Sequence, residues 1–255
     1  MKKDIVPILE FDEDLEAFIE PSLVLRKYKP LPEKLIITFF HEAVDNLLKK
    51  DEITLYQTIK GENHHDMYLF KNHDVAIVKG SIGSAACAGF YEEYIALGAK
   101  EIIFCGGAGA LDASLNVGAL MIVEGAIRDE GLSYHYLKPS RTVEANPEIV
   151  NKIERFLKDK EIPFIKGIVW TTDAFYRETR SKIKARANEG ALMVDMEQAG
   201  LLAVSKFRGV SYGAILYAGD DLSQEIWDGR LWHQKKDLRE NLITLCLNYL
   251  IQDDH

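Results

Sequence analysis

Val194-Asp195-Met196-Glu197-Gln198-Ala199-Gly200 sets two carboxylates around a methionine, between apolar runs at Ala191–Val194 and Leu201–Val204. The first run reads as a strand, and Gln198–Phe207 as a helix stopped near Gly209. The heptapeptide is therefore a strand-to-helix junction, the building unit of an α/β fold. Acids at such a junction have two readings. They cap the helix through its first amides, or they face a ligand, because a carboxylate taken out of water needs a donor. A sugar such as ribose, with vicinal hydroxyls and an apolar ring face, suits a carboxylate beside a thioether.

The same alternation runs outward in both directions. Lys34–Phe40, Val75–Val78, Ile102–Cys105, Leu120–Glu124, Lys166–Thr171 and Ser211–Tyr217 read as strands. Glu42–Lys50, Ala85–Leu97, Pro147–Lys160 and Leu238–Leu250 read as helices. No repeat or composition break interrupts them. The expectation is one α/β domain over residues 34–255, a mostly parallel, twisted central sheet flanked by helices. Residues 1–33, acidic and punctuated by Pro7, Pro21, Pro30 and Pro32, read as an arm laid over it.

Composition narrows the function classes. The 255 residues are 47% hydrophobic and 28% charged, ordinary usage for a soluble protein. A formal net charge of −9 argues against nucleic acid or an anionic membrane as partner. The three cysteines, Cys87, Cys105 and Cys246, lie far apart in apolar sequence with no metal-ligand spacing. They read as reduced core residues, and no segment reaches membrane-spanning length, so the expected location is the cytoplasm.

Several stretches sit where a parallel sheet gathers ligands, outside the carboxyl ends of its strands. Gly106-Gly107-Ala108-Gly109 follows a strand, where glycines let backbone amides approach an anion or simply make a tight turn. Gly80–Gly83 carries the same two readings. Thr171–Glu178 holds the aromatic pair Phe175-Tyr176, suited to stacking on a planar ligand or to core packing. Asp220 closes the strand at Ser211–Tyr217, where a carboxyl group shielded from water is able to donate a proton to a leaving group, or to cap a turn.

Taken together, these segments resemble the nucleoside phosphorylase family of hexameric purine nucleoside phosphorylase and uridine phosphorylase, from about Lys34 onward. The resemblance rests on Gly83 with its helix, Ile103–Gly109, Arg128–Tyr136, Thr172–Tyr176, Val194–Gly200 and Tyr217–Leu222. It implies that Glu197 accepts the ribose hydroxyls, Met196 packs on the sugar, and Asp195, in place of a glutamate, joins them as a sugar-binding residue. Phe175 matches the base-stacking aromatic, and Asp220 the aspartate that protonates the base. Arg230, within Trp227-Asp228-Gly229-Arg230-Leu231-Trp232, falls roughly where an arginine assists that aspartate. Gly83, Gly106 and Gly107 match the anion loops. The family implies no cofactor beyond phosphate as co-substrate, a nucleoside as partner, and a homodimer or trimer of dimers.

The chain departs from the family at the attacking end. Where phosphorolytic members carry Gly-Asp-Pro-x-Arg, it reads Thr38-Phe39-Phe40-His41-Glu42. Phe104 and Gly107 replace an arginine and a hydroxyl residue, and Thr179 and Ser181 replace the uracil-reading pair. Each charge-assisted hydrogen bond forgone by a phosphate is worth about 1.5–3 kcal/mol. The expected reaction is phosphorolysis of a nucleoside to base and (deoxy)ribose 1-phosphate, with backbone amides and an unidentified cation holding phosphate. Its alternatives are a nucleosidase in which His41 or Glu42 activates water, and a nucleoside-binding protein that has lost catalysis.

Overall fold

Three apolar strands lie side by side at the centre, and their sequences require it: a strand buried on both faces reads as a continuous aliphatic run. The computed structural model describes residues 3–61, 64–231 and 235–252. Its elements in the first half are α1 (Pro21–Leu25), β1 (Lys34–Thr38), α2 (His41–Lys49), β2 (Ile53–Ile59), β3 (His65–Phe70), β4 (Val75–Lys79), α3 (Ser84–Ala96) and β5 (Glu101–Ala110). There follow β6 (Leu120–Asp129), β7 (Thr142–Glu144), α4 (Pro147–Asp159), β8 (Phe164–Thr172), α5 (Arg180–Asn188), β9 (Ala191–Asp195), α6 (Gln198–Arg208), β10 (Ser211–Asp221) and α7 (Lys236–Ile251).

Strand β1 runs parallel to both β4 and β5, with Lys34 opposite Val75 and Glu101. Beyond β4, strands β3 and β2 extend the sheet as an antiparallel hairpin. On the other side β5 bonds to β10 in parallel and, at its far end, to β9 antiparallel. Strand β10 continues to β6, β6 to β8, and β8 back to β9. The path β5-β10-β6-β8-β9 thus closes on itself, giving a barrel-like half joined to an open half.

A single α/β domain is what the sequence predicts, with helices on the sheet, but the sheet is mixed rather than mostly parallel. Of the ten strand pairings among the described residues, five are parallel and five antiparallel. The hairpin β2–β3, strand β7 and helix α5 carry no sequence signal read above. Gly106–Gly109 is a second correction: these glycines lie inside β5 rather than in a turn after it. They keep that strand bare, because a Cβ on Gly106 would meet the Phe104 ring at 2.7 Å and one on Gly109 would meet Leu222 at 2.5 Å.

Helix α4 buries Val150, Ile153, Phe156 and Leu157, whereas α6 is buried along its first eight residues. Leu25 and Leu31 reach the core from residues 1–33, and the Leu31 amide donates to the Leu97 carbonyl. The three cysteines are buried and unpaired. No helix among the described residues is long and apolar enough to cross a membrane.

The bulge in β6 has a sharp steric requirement. A Cβ on Gly125 would sit 2.8 Å from the Val143 carbonyl oxygen of β7, and backbone cannot step aside as a side chain can. Gly125→Val is expected to destabilise the fold by about 1–3 kcal/mol. A denaturant titration with an unchanged midpoint would contradict this.

Candidate active site

Strand β9 ends on Asp195 and α6 begins at Gln198, so the chain must turn within Met196-Glu197. Asp195 makes that turn possible. Its Oδ2 accepts from the amides of Gln198 (2.7 Å) and Glu197 (3.2 Å), and its Oδ1 accepts from the Thr171 hydroxyl at 2.6 Å. Thr171 Oγ1 in turn accepts from the Ala199 amide. The capping reading therefore holds for Asp195, whose two oxygens are engaged by the protein itself, and the same residue lines the cavity described next.

Beside Asp195, Glu197 faces the cavity. It is buried, and its Oε1 accepts from the Gly83 amide at 2.6 Å while Oε2 accepts from Met196 at 3.3 Å. Gly83 holds φ at +92°, a left-handed geometry that favours glycine and turns its amide toward the carboxylate. Ser84 then donates to the Met196 carbonyl, tying α3 to the junction. Burial raises the Glu197 pKa and the Asp195 carboxylate raises it further. Asp195 is also raised by burial, against the pull of its hydrogen-bond donors.

These residues open on a cavity of about 860 Å³. Asp195, Met196, Glu197, Phe175, Asp220 and Gly107, all singled out in the sequence, line it. Phe175 sits half-exposed on a 3₁₀ turn after β8, its ring centroid 4.0 Å from that of Tyr176. Asp220 lies near the end of β10, and its Oδ2 accepts from Trp227 Nε1 at 2.7 Å.

Other expectations change. Arg230 does not assist Asp220: it donates to Asp221 and to the Leu115 carbonyl, and lies outside the cavity wall. Trp232 falls outside the described residues. Gly83 spends its amide on Glu197 rather than on an anion, and Gly106 packs against Phe104 and Leu216 away from the cavity. Exposed His41 contacts the Gly80 carbonyl through Nε2 at 3.1 Å and does not line the wall. Glu42 does not line it either, but it accepts from Arg239, which does.

Sequence reading gave no role to four cavity residues: Arg239, Phe39, Phe40 and Glu178. Arg239 arrives from α7, its Nε donating to the Tyr217 hydroxyl at 3.2 Å. Phe39 and Phe40 face the same space from the end of β1. Glu178 stands on the wall with its pKa pushed up to about 7 by burial and by Asp220. Only the register of β10 beside β5, which sets Tyr217 opposite Gly107, would have pointed to Arg239's destination.

Residues 33–243 match the family described as the phosphorylase superfamily. Guanosine phosphorylase of Halorubrum lacusprofundi is 27% identical over 181 residues, 69% of this chain and 75% of that protein. Purine nucleoside phosphorylase of Plasmodium falciparum is 27% identical over 150 residues, 58% of this chain and 61% of that protein. Among solved structures, uridine phosphorylase of Vibrio fischeri superposes with a TM-score of 0.71 at 24% identity, covering 86% of this chain and 90% of that one. AMP nucleosidase of Bacteroides thetaiotaomicron gives 0.71 at 21% identity, covering 90% and 94%.

The raised pKa of Glu197 has a definite sign in stability. The fold holds this proton more tightly than the unfolded chain, which releases it near the ordinary 4.5. The stabilising effect is complete below that value and is lost as pH rises toward the folded pKa. Thermal melts of the unliganded protein should therefore decline from about pH 5 through neutrality, and Glu197→Gln should flatten that decline. Parallel slopes for the two proteins would contradict the assignment.

Proposed function

The chain belongs to the phosphorylase superfamily, and we propose that it cleaves the N-glycosidic bond of a nucleoside by phosphorolysis, giving free base and (deoxy)ribose 1-phosphate. The observation that carries the reading is the gathering of Glu197, Met196, Phe175 and Asp220 around one cavity of about 860 Å³. Those four come from the β9–α6 junction, the turn after β8 and the end of β10, and they supply complementary chemistry. Glu197 accepts the sugar hydroxyls, Met196 packs on the ring face, and Phe175 stacks on the base. Asp220 gives a proton to the base as the C1′–N bond breaks and its electron pair leaves with the nitrogen. The sugar passes through an oxocarbenium-like state in which Glu197 stabilises developing positive charge. A phosphate oxygen then bonds to C1′.

Hydrolysis is the second reading, and one observation favours it. Glu42 neutralises Arg239, the buried guanidinium of the cavity wall, so an attacking anion gains less from that cation and water competes for C1′.

One assay separates these readings: a nucleoside panel turned over with and without phosphate, sugar products identified by mass. Phosphate-dependent formation of ribose 1-phosphate is expected, whereas undiminished base release with free ribose in phosphate-free buffer supports hydrolysis instead. Asp220→Asn should lower kcat about 10²–10⁴-fold with nucleoside binding retained. Binding with no base release from the parent protein would identify a catalytically silent binder.

A further inference from the structure

An anion drawn into this cavity needs compensating donors, since a desolvated charge without them is costly. Acids outnumber cations on its wall, where the two guanidinium groups among the described residues are those of Arg180 and Arg239. Arg180 is exposed, begins α5 five residues after Phe175, and donates to the Glu225 carbonyl at 2.9 Å. It belongs with the stacking turn.

Arg239 differs in every respect. It is 7% exposed, enters from α7, and lies 5.4 Å over the Phe40 ring. Its Nε is held by Tyr217 and its Nη1 by Glu42. Tyr217 stands opposite Gly107 in the sheet, and a Cβ on Gly107 would lie 3.1 Å from the Tyr217 hydroxyl oxygen. The guanidinium is therefore fixed where the ends of β1, β5 and β10 meet, by a partner on each side. A charge this buried and oriented on a cavity wall is preorganised for an anion.

We propose that Arg239, delivered by the C-terminal helix and aimed by Tyr217 and Glu42, binds the attacking phosphate. The inference rests on the phosphorolytic reading. Arg239 stays charged throughout: the phosphate oxygen forms the new bond to C1′, the departing base keeps the C1′–N electron pair, and Asp220 supplies the proton. Glu42 has two opposing effects. It orients the guanidinium, and it cancels part of the charge that draws phosphate in, so affinity for phosphate is held low.

That opposition gives the test. Steady-state kinetics with both substrates varied should show Arg239→Gln raising the KM for phosphate about tenfold or more. The KM for nucleoside should stay within about twofold, and Arg239→Lys should fall between, keeping the charge but losing the fork. Glu42→Gln should move the phosphate KM the opposite way, downward. Tyr217→Phe removes only the acceptor of Nε and should raise the phosphate KM modestly, so the sign is readable even if an Arg239 variant fails to fold. A structural role would move both KM values together. If phosphate-dependent turnover survives with an unchanged phosphate KM in Arg239→Gln, the role of Arg239 is overturned and phosphorolysis stands. If the parent enzyme is indifferent to phosphate, both are overturned.

Discussion

The buried carboxylate of Glu197 is costly to desolvate, and the neighbouring structure is arranged around meeting that cost. Its oxygens are met by backbone amides from two directions, Gly83 at the start of α3 and Met196 at the end of β9. Asp195 frees it for this task by taking over the first amides of α6. Because Thr171 of β8 binds both Asp195 and Ala199, the junction is locked to the closed half of the sheet. These two donors do not offset burial and the neighbouring Asp195 carboxylate, which together raise the pKa. A ligand that brings hydroxyl donors completes it.

Charge is distributed unevenly around the cavity, and the fold explains how. Strand ends supply acids: Glu197 after β9, Asp220 in β10, Glu178 after β8. The guanidinium of Arg239 comes instead from α7, which packs against β1 and β5 and so reaches the strand ends from outside the sheet. Phe39 and Phe40 make the β1 side of the wall apolar, and Arg239 rests over the second ring. An apolar wall lowers the local dielectric and strengthens whatever charge pairing the site does make.

The sequence makes the proposed sugar and base ends legible because each lies in a short local segment. Val194–Gly200 carries its whole junction in seven positions, and Phe175 and Asp220 each sit within four residues of a readable strand. The arrangement around Arg239 depends on tertiary packing, which joins residue 239 to residue 217 and, across most of the chain, to residue 42. Nothing local marks it. Arg230 shows the converse error: its spacing after Asp220 suggested a partner, yet the turn at Asp228 delivers it to Asp221, one residue on and on the other face of the strand. The glycines of β5 misled in a third way, since their bareness serves neighbouring side chains in the sheet rather than a turn. The barrel-like closure was also hidden, because antiparallel pairing of β9 with β5 involves only two residue pairs.

The proposed function depends on Glu197 acting as receptor for the sugar hydroxyls. It is tested most directly by calorimetric titration with a carbon-linked nucleoside, whose base cannot be released, and with its 2′,3′-dideoxy counterpart. The hydroxylated compound should bind about tenfold or more tightly than the dideoxy compound. Equal affinity for the two would contradict the claim.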